Sequence, residues 1–109
     1  MKRLSWLLSL GVFLAAASAQ AQQGAAIFEA QRCGTCHKPD MEKAGPSLAE
    51  MAQAYQGKED QVIGYLKGEA GPLIESGKEN LMKRAIEKTK ALSDVDRKTL
   101  ADFIISHAH

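Results

Sequence analysis

The 109-residue chain is short of the residues that most readily announce a fold: 6% are aromatic, three are proline with none beyond Pro72, and two are cysteine. Two cysteines exclude a disulfide-dense scaffold. Charge of one sign does not accumulate either, since 14 Lys and Arg stand against 13 Asp and Glu. A formal net charge of +1 gives no general pull toward nucleic acid or an anionic membrane. The longest apolar run, Leu4 to Ala17, is 14 residues, short of the roughly 18 to 20 that span a membrane. Repeats, low-complexity tracts and alternating strand patterns are missing. What remains is 45% apolar and 25% charged, the composition of one soluble globular domain, and without strand patterns that domain is all-α.

Lys2 and Arg3 precede the apolar run, and Ala19-Gln20-Ala21 closes it with a small-x-small cleavage site, the layout of a secretory signal peptide. Residues 1–21 are therefore expected to be removed, leaving 22–109 as a single domain with no stable membrane insertion. No cysteine follows the run, which argues against a lipid anchor. Processing discards the only tryptophan, Trp6, and takes the formal charge from +1 to −1. A domain of 88 residues buries only about two thirds of its unfolded surface and benefits from a staple such as a metal, disulfide or cofactor.

Both cysteines lie in Cys33-Gly34-Thr35-Cys36-His37, the C-x-x-C-H pattern of covalent haem attachment. Two thiols three residues apart on one helical turn face the same way and can add to neighbouring vinyl groups of one porphyrin, with His37 beneath the iron. Two other chemistries share these residues. A redox disulfide needs a β-α-β frame, which the pattern lacks. A zinc site needs four ligands, and His107 and His109 are remote at the C-terminus.

Helical periodicity organises the rest. A first helix is expected over Gly24–Arg32, ending at the attachment motif, and Pro39 to Pro46 reads as a loop. Ser47 with Glu50 is a capping signature, after which Leu48, Met51, Ala52 and Tyr55 recur on one face up to Gly57. Glu59 to Lys67 should bury Val62, Ile63 and Leu66 before Gly68. Leu73 to Thr89 reads as loop with helical turns, because Leu81, Met82 and Ile86 are a sparse apolar set. Ser93 with Asp94 and Asp96 opens a final helix to about His107, with Leu100, Phe103 and Ile104 inward.

The order of these pieces, from the haem motif through Gly45-Pro46-Ser47-Leu48 and Leu81-Met82-Lys83 to Leu92-Ser93-Asp94, resembles the class I, mitochondrial-like c-type cytochromes. It is closest to the small bacterial monohaem cytochrome c-551/c-552/c-553 type. The resemblance implies a compact cytochrome c fold of four to five short helices around one covalent haem c. Cys33 and Cys36 would carry the thioethers, His37 would be the proximal iron ligand, Pro46 would offer its carbonyl to the other ring nitrogen of His37, and Met82 would be the distal ligand. Family members often place proline soon after that methionine, whereas Lys83-Arg84-Ala85 follows here. The family also crosses its first and last helices, which would bring Gly24 and Phe28 against Phe103.

The function implied is that of a soluble periplasmic one-electron carrier, a monomer and not an enzyme, cycling Fe(II) and Fe(III) between redox proteins. A bc-type complex and a terminal oxidase or reductase are the kind of partners expected. An apolar pocket of Ile27, Phe28, Leu48, Ile63, Leu66, Leu81, Leu100 and Ile104 would surround the haem. Tyr55 and Tyr65 would either bond its propionates or pack, and Lys38, Lys43, Lys83, Arg84, Lys88 and Lys90 would either ring its edge or be ordinary solvated charge. A gas-binding or sensory haem domain with a labile sixth ligand, and a haem subunit of a periplasmic oxidoreductase, are the alternatives. N-terminal sequencing of the exported protein is expected to begin at Gln22, or at Gln20 if cleavage follows Ala19; a product retaining Met1 would refute the signal peptide.

Overall fold

A computed structural model of the chain describes residues 19–74 and 77–108. Most of the expected signal peptide, residues 1–18, and His109 lie outside the described residues. The architecture is all-α. A helix covers 19–30 (α1), and a 3-10 turn follows at Cys33–Thr35. The remaining helices are Leu48–Tyr55 (α2), Glu59–Leu66 (α3), Glu79–Thr89 (α4) and Asp94–Ile105 (α5). Among the described residues there is no strand beyond an isolated bridge between His37 and Glu42, and no helix is long and apolar enough to cross a membrane.

Local chemistry sets the boundaries. The first helix stops two residues before the expected Arg32, because Arg32 adopts a left-handed backbone at φ 60° and the Arg32 amide reaches only to Glu29 O. Ser47 and Ser93 cap α2 and α5 as anticipated, each hydroxyl accepting from the amide three residues on at 3.1 Å. Gly57 and Gly68 take φ of +74° and +77° just past α2 and α3, conformations that a side chain would strain.

The segment expected as loop with helical turns corrects the sequence reading. It contains the 11-residue helix α4. Its inward face runs through Met82, Ala85, Ile86 and Thr89, a helical i, i+3, i+4, i+7 set with Ile86 and Thr89 buried. Ala85 and Thr89 add little to an apolar count, and Leu81, which does, is 60% exposed.

Helix α5 is the centre of the core. It packs against both α2 and α3, while α4 rests on α3. Leu100, Ala101 and Ile104 of α5 meet Leu48 and Tyr55 of α2, Val62 and Leu66 of α3, Phe28 of α1 and Ile86 of α4 in one cluster. Gly24 makes the α1 crossing close, since a Cβ there would lie 2.6 Å from Phe103 Cβ. The Phe28 and Phe103 rings then pack at 5.3 Å, tilted by 52°. This crossing is the one implied by the family resemblance. Gly24→Val forces these helices apart and is expected to destabilise by about 1–3 kcal/mol, the usual range for overpacking, measured by denaturant unfolding; an unchanged midpoint would refute the close approach.

Candidate functional site

The 3-10 turn places the attachment residues. The amides of Cys36 and His37 both donate to Cys33 O, at 3.2 and 2.9 Å, which folds the motif into a tight turn in place of the expected α-helical one. Cys33 and Cys36 are not joined in a disulfide, and both line a cavity of about 160 Å³ together with His37. Burial pushes the Cys33 thiol up to about 11, the opposite of the depressed value that a redox C-x-x-C pair uses to expose a thiolate. No β-α-β frame accompanies it among the described residues. Nor do any three His, Cys, Asp or Glu side chains there gather as a metal-ion cluster, so the zinc reading lacks ligands.

His37 is held from two sides. Its Nδ1 donates to Pro46 O at 2.7 Å; a carbonyl only accepts, so in the neutral ring the proton sits on Nδ1 and the lone pair on Nε2. Gly45 lies flat against the ring, and a Cβ there would stand 2.6 Å from Cε1 and 2.9 Å from Nδ1. The loop that returns from His37 is anchored at both ends. Gly45 N donates to Cys36 O at 3.1 Å, while Lys38 O and Pro39 O accept from the first amides of α2, Leu48 N at 2.8 Å and Ala49 N at 3.1 Å. Those amides have no partner within the helix, so the loop and α2 complete each other.

The cavity wall is largely apolar, formed by Met51, Tyr55, Val62, Tyr65, Leu66, Pro72, Ile74, Leu81, Met82, Ala85 and Ile104. Of the side chains expected to enclose it, Leu66, Leu81 and Ile104 do so. Ile27, Phe28, Leu48, Ile63 and Leu100 belong instead to the helix core or its flank. Tyr55 serves packing and an internal bond, its hydroxyl accepting from Leu73 N at 3.0 Å, and burial raises the Tyr65 phenol above its usual value. Gln31 also lines the cavity, with Oε1 buried and unpartnered by protein. Paired thiols, an imidazole with a free nitrogen, an apolar wall and an orphaned polar atom together fit a haem.

Met82 reaches this cavity from the first turns of α4. Met51 packs against the helix core and also reaches the cavity from α2, while Met41 is 67% exposed and off the cavity. His107, just past α5, is partly buried. Its Nδ1 donates to Phe103 O at 2.8 Å and its ring stands edge-on to Phe103 at 4.6 Å.

A helical chain that folds its first and last helices together and offers Cys33, Cys36 and His37 to one apolar cavity is a small class I c-type cytochrome. The cytochrome c family model matches residues 21–108, and the chain belongs to that family. It is similar to cytochrome c-551 of Stutzerimonas stutzeri, 30% identical over 103 residues, covering 92% of this chain and 91% of that protein. It is also similar to cytochrome c-552 of Nitrosomonas europaea, 31% identical over 101 residues, covering 89% and 93%. One covalent haem c is its cofactor, and haem-based electron transfer with redox partners is its activity at the level of the family.

Gly45→Ala pushes a methyl group into the His37 ring and is expected to cost about 1–3 kcal/mol by denaturant unfolding, with the His37 to Pro46 distance lengthened in its crystal structure. A ring left in place would refute the contact.

Proposed function

We propose that the protein is an exported, periplasmic one-electron carrier in which His37 Nε2 and Met82 Sδ would hold the haem iron. The carrying observation is that Met82 and His37 line one cavity with the two attachment cysteines. Bound there, the haem supplies an iron that gains or loses one electron, and a His and Met pair favours the reduced state and so a raised potential.

The protein's residues do the rest. Cys33 and Cys36 fix the macrocycle, and the Pro46 carbonyl locks the His37 tautomer and increases its basicity. The apolar wall keeps water from the iron. Ligands that stay the same in both oxidation states limit the rearrangement that accompanies each transfer.

Leu81 is 60% exposed at the cavity rim, with Lys83 and Arg84 exposed beside it. That apolar contact flanked by positive charge suits docking to an acidic redox protein, where charge speeds encounter. A bc-type complex as donor and a terminal oxidase or reductase as acceptor are the partner classes inferred, and the carrier acts as a monomer. Removal of residues 1–21 as a signal peptide accords with a family match beginning at residue 21.

The ferric wild type is expected to carry a far-red thioether band and the ferrous form to ignore carbon monoxide. Met82→Ala loses the band and binds carbon monoxide readily. A band that survives Met82→Ala would transfer the role to Met51, and a wild type that binds carbon monoxide would favour a gas-binding domain over a carrier.

A further inference from the structure

Among the described residues, the one buried charged side chain is Arg97 of α5, 3% exposed. Its guanidinium donates from Nε to Thr89 O at 3.2 Å, from Nη2 to Lys90 O at 2.9 Å and Leu92 O at 2.6 Å, and from Nη1 to Asp94 Oδ1 at 2.8 Å. Thr89 is the last residue of α4 and Lys90 its C-cap. The positive group therefore sits at the negative end of the α4 dipole, which with Asp94 offsets the desolvation of a buried charge. Thr89, 1% exposed, donates its own hydroxyl to Leu66 O at the end of α3, at 2.6 Å. The C-terminal end of α4 is thus tied to α3 and to α5.

The other end of α4 contributes no fully buried side chain, Met82 and Ala85 being half-buried and Leu81 exposed. Met82 stands two helical turns, about 10 Å, from Thr89 along a rigid rod. No proline follows Pro72 to stiffen this stretch of chain. A helix fastened at one end fixes what it carries at the other only as firmly as that fastening.

We propose that Arg97, with Thr89, is a positioning residue for the distal iron ligand, a clamp on the C-terminal carbonyls of α4 that holds Met82 over the cavity. The inference rests on Met82 being that ligand. Replacing Arg97 leaves three carbonyls without their donor, loosens the fastened end and lets an outside ligand compete with the methionine.

The test is imidazole titration of the purified ferric holoprotein, read with the far-red band, in wild type, Arg97→Met, Arg97→Lys, Thr89→Val, Met82→Ala and Phe103→Leu. Arg97→Met and Thr89→Val are expected to bind imidazole at least tenfold more tightly with a weakened band, and Arg97→Lys, which keeps the charge but not the planar fork, to fall between. Phe103→Leu loosens the α1 and α5 crossing, so it lowers the unfolding midpoint but keeps wild-type imidazole affinity. An equal gain in Phe103→Leu would reduce Arg97 to general stability and overturn the proposal. Wild-type titration of the Arg97 and Thr89 variants alongside tight binding by Met82→Ala would overturn the clamp and leave the ligand standing. A band unchanged in Met82→Ala would overturn both. Where Arg97→Met does not accumulate folded, Arg97→Lys and Thr89→Val decide by the same titration.

Discussion

A proton fixed on His37 Nδ1 by the Pro46 carbonyl, 2.7 Å away, constrains the chain on both sides of it. On one side the ring must follow the 3-10 turn that gathers Cys33 and Cys36, because His37 N is bonded back to Cys33 O. On the other, Pro46 leads directly into the Ser47 cap of α2. The ring cannot move without disturbing the cap, and the cap cannot move without disturbing the ring. Gly45 completes the arrangement by being the only residue type that leaves room for the imidazole at that contact.

That local unit is carried by a core it does not itself build. Helix α5 supplies Leu100, Ala101 and Ile104 to the packing of α2 and α3, and α2 in turn carries the amides that fasten the His37 loop. The cavity lies where these helices and α4 face the attachment turn, so its wall is shared between residues that stabilise the fold and residues that enclose the cofactor. Ile104 does both. Rigidity at the site and stability of the fold are therefore one property over much of this molecule.

The parts of this design that were legible in the sequence are those written in short-range chemistry. Cys33-Gly34-Thr35-Cys36-His37 states its own purpose, Ser47 and Ser93 announce helix starts, and the Leu48, Ala52 and Tyr55 spacing marks an inward face. Helix α4 was missed because half of its buried face is alanine and threonine, and Thr89 is inward for the sake of a hydrogen bond to another helix. Arg97 was invisible for the same reason. On a helix with Asp94, Asp96 and Lys98 it reads as surface charge, and only the tertiary fold brings three main-chain carbonyls around it. The cavity wall was partly misassigned because apolar residues that face the helix core and those that face the cavity have the same periodicity. Gly24 became informative only through its family context, since a close helix crossing and a turn look alike in one chain.

The crossing of α1 over α5 also has a topological consequence. It joins positions about 80 residues apart, a closure that costs on the order of 4 kcal/mol of chain entropy but grows only by about 0.6 kcal/mol for each doubling of the enclosed length. Nearly the whole domain lies inside that single loop, including the stretch between α3 and α4. Inserting, deleting or refolding residues there barely changes the entropy of closing the domain. The fold can therefore accept very different segments between α3 and α5, a proline-stiffened loop or a helix such as α4, while the clasp between its ends stays the same.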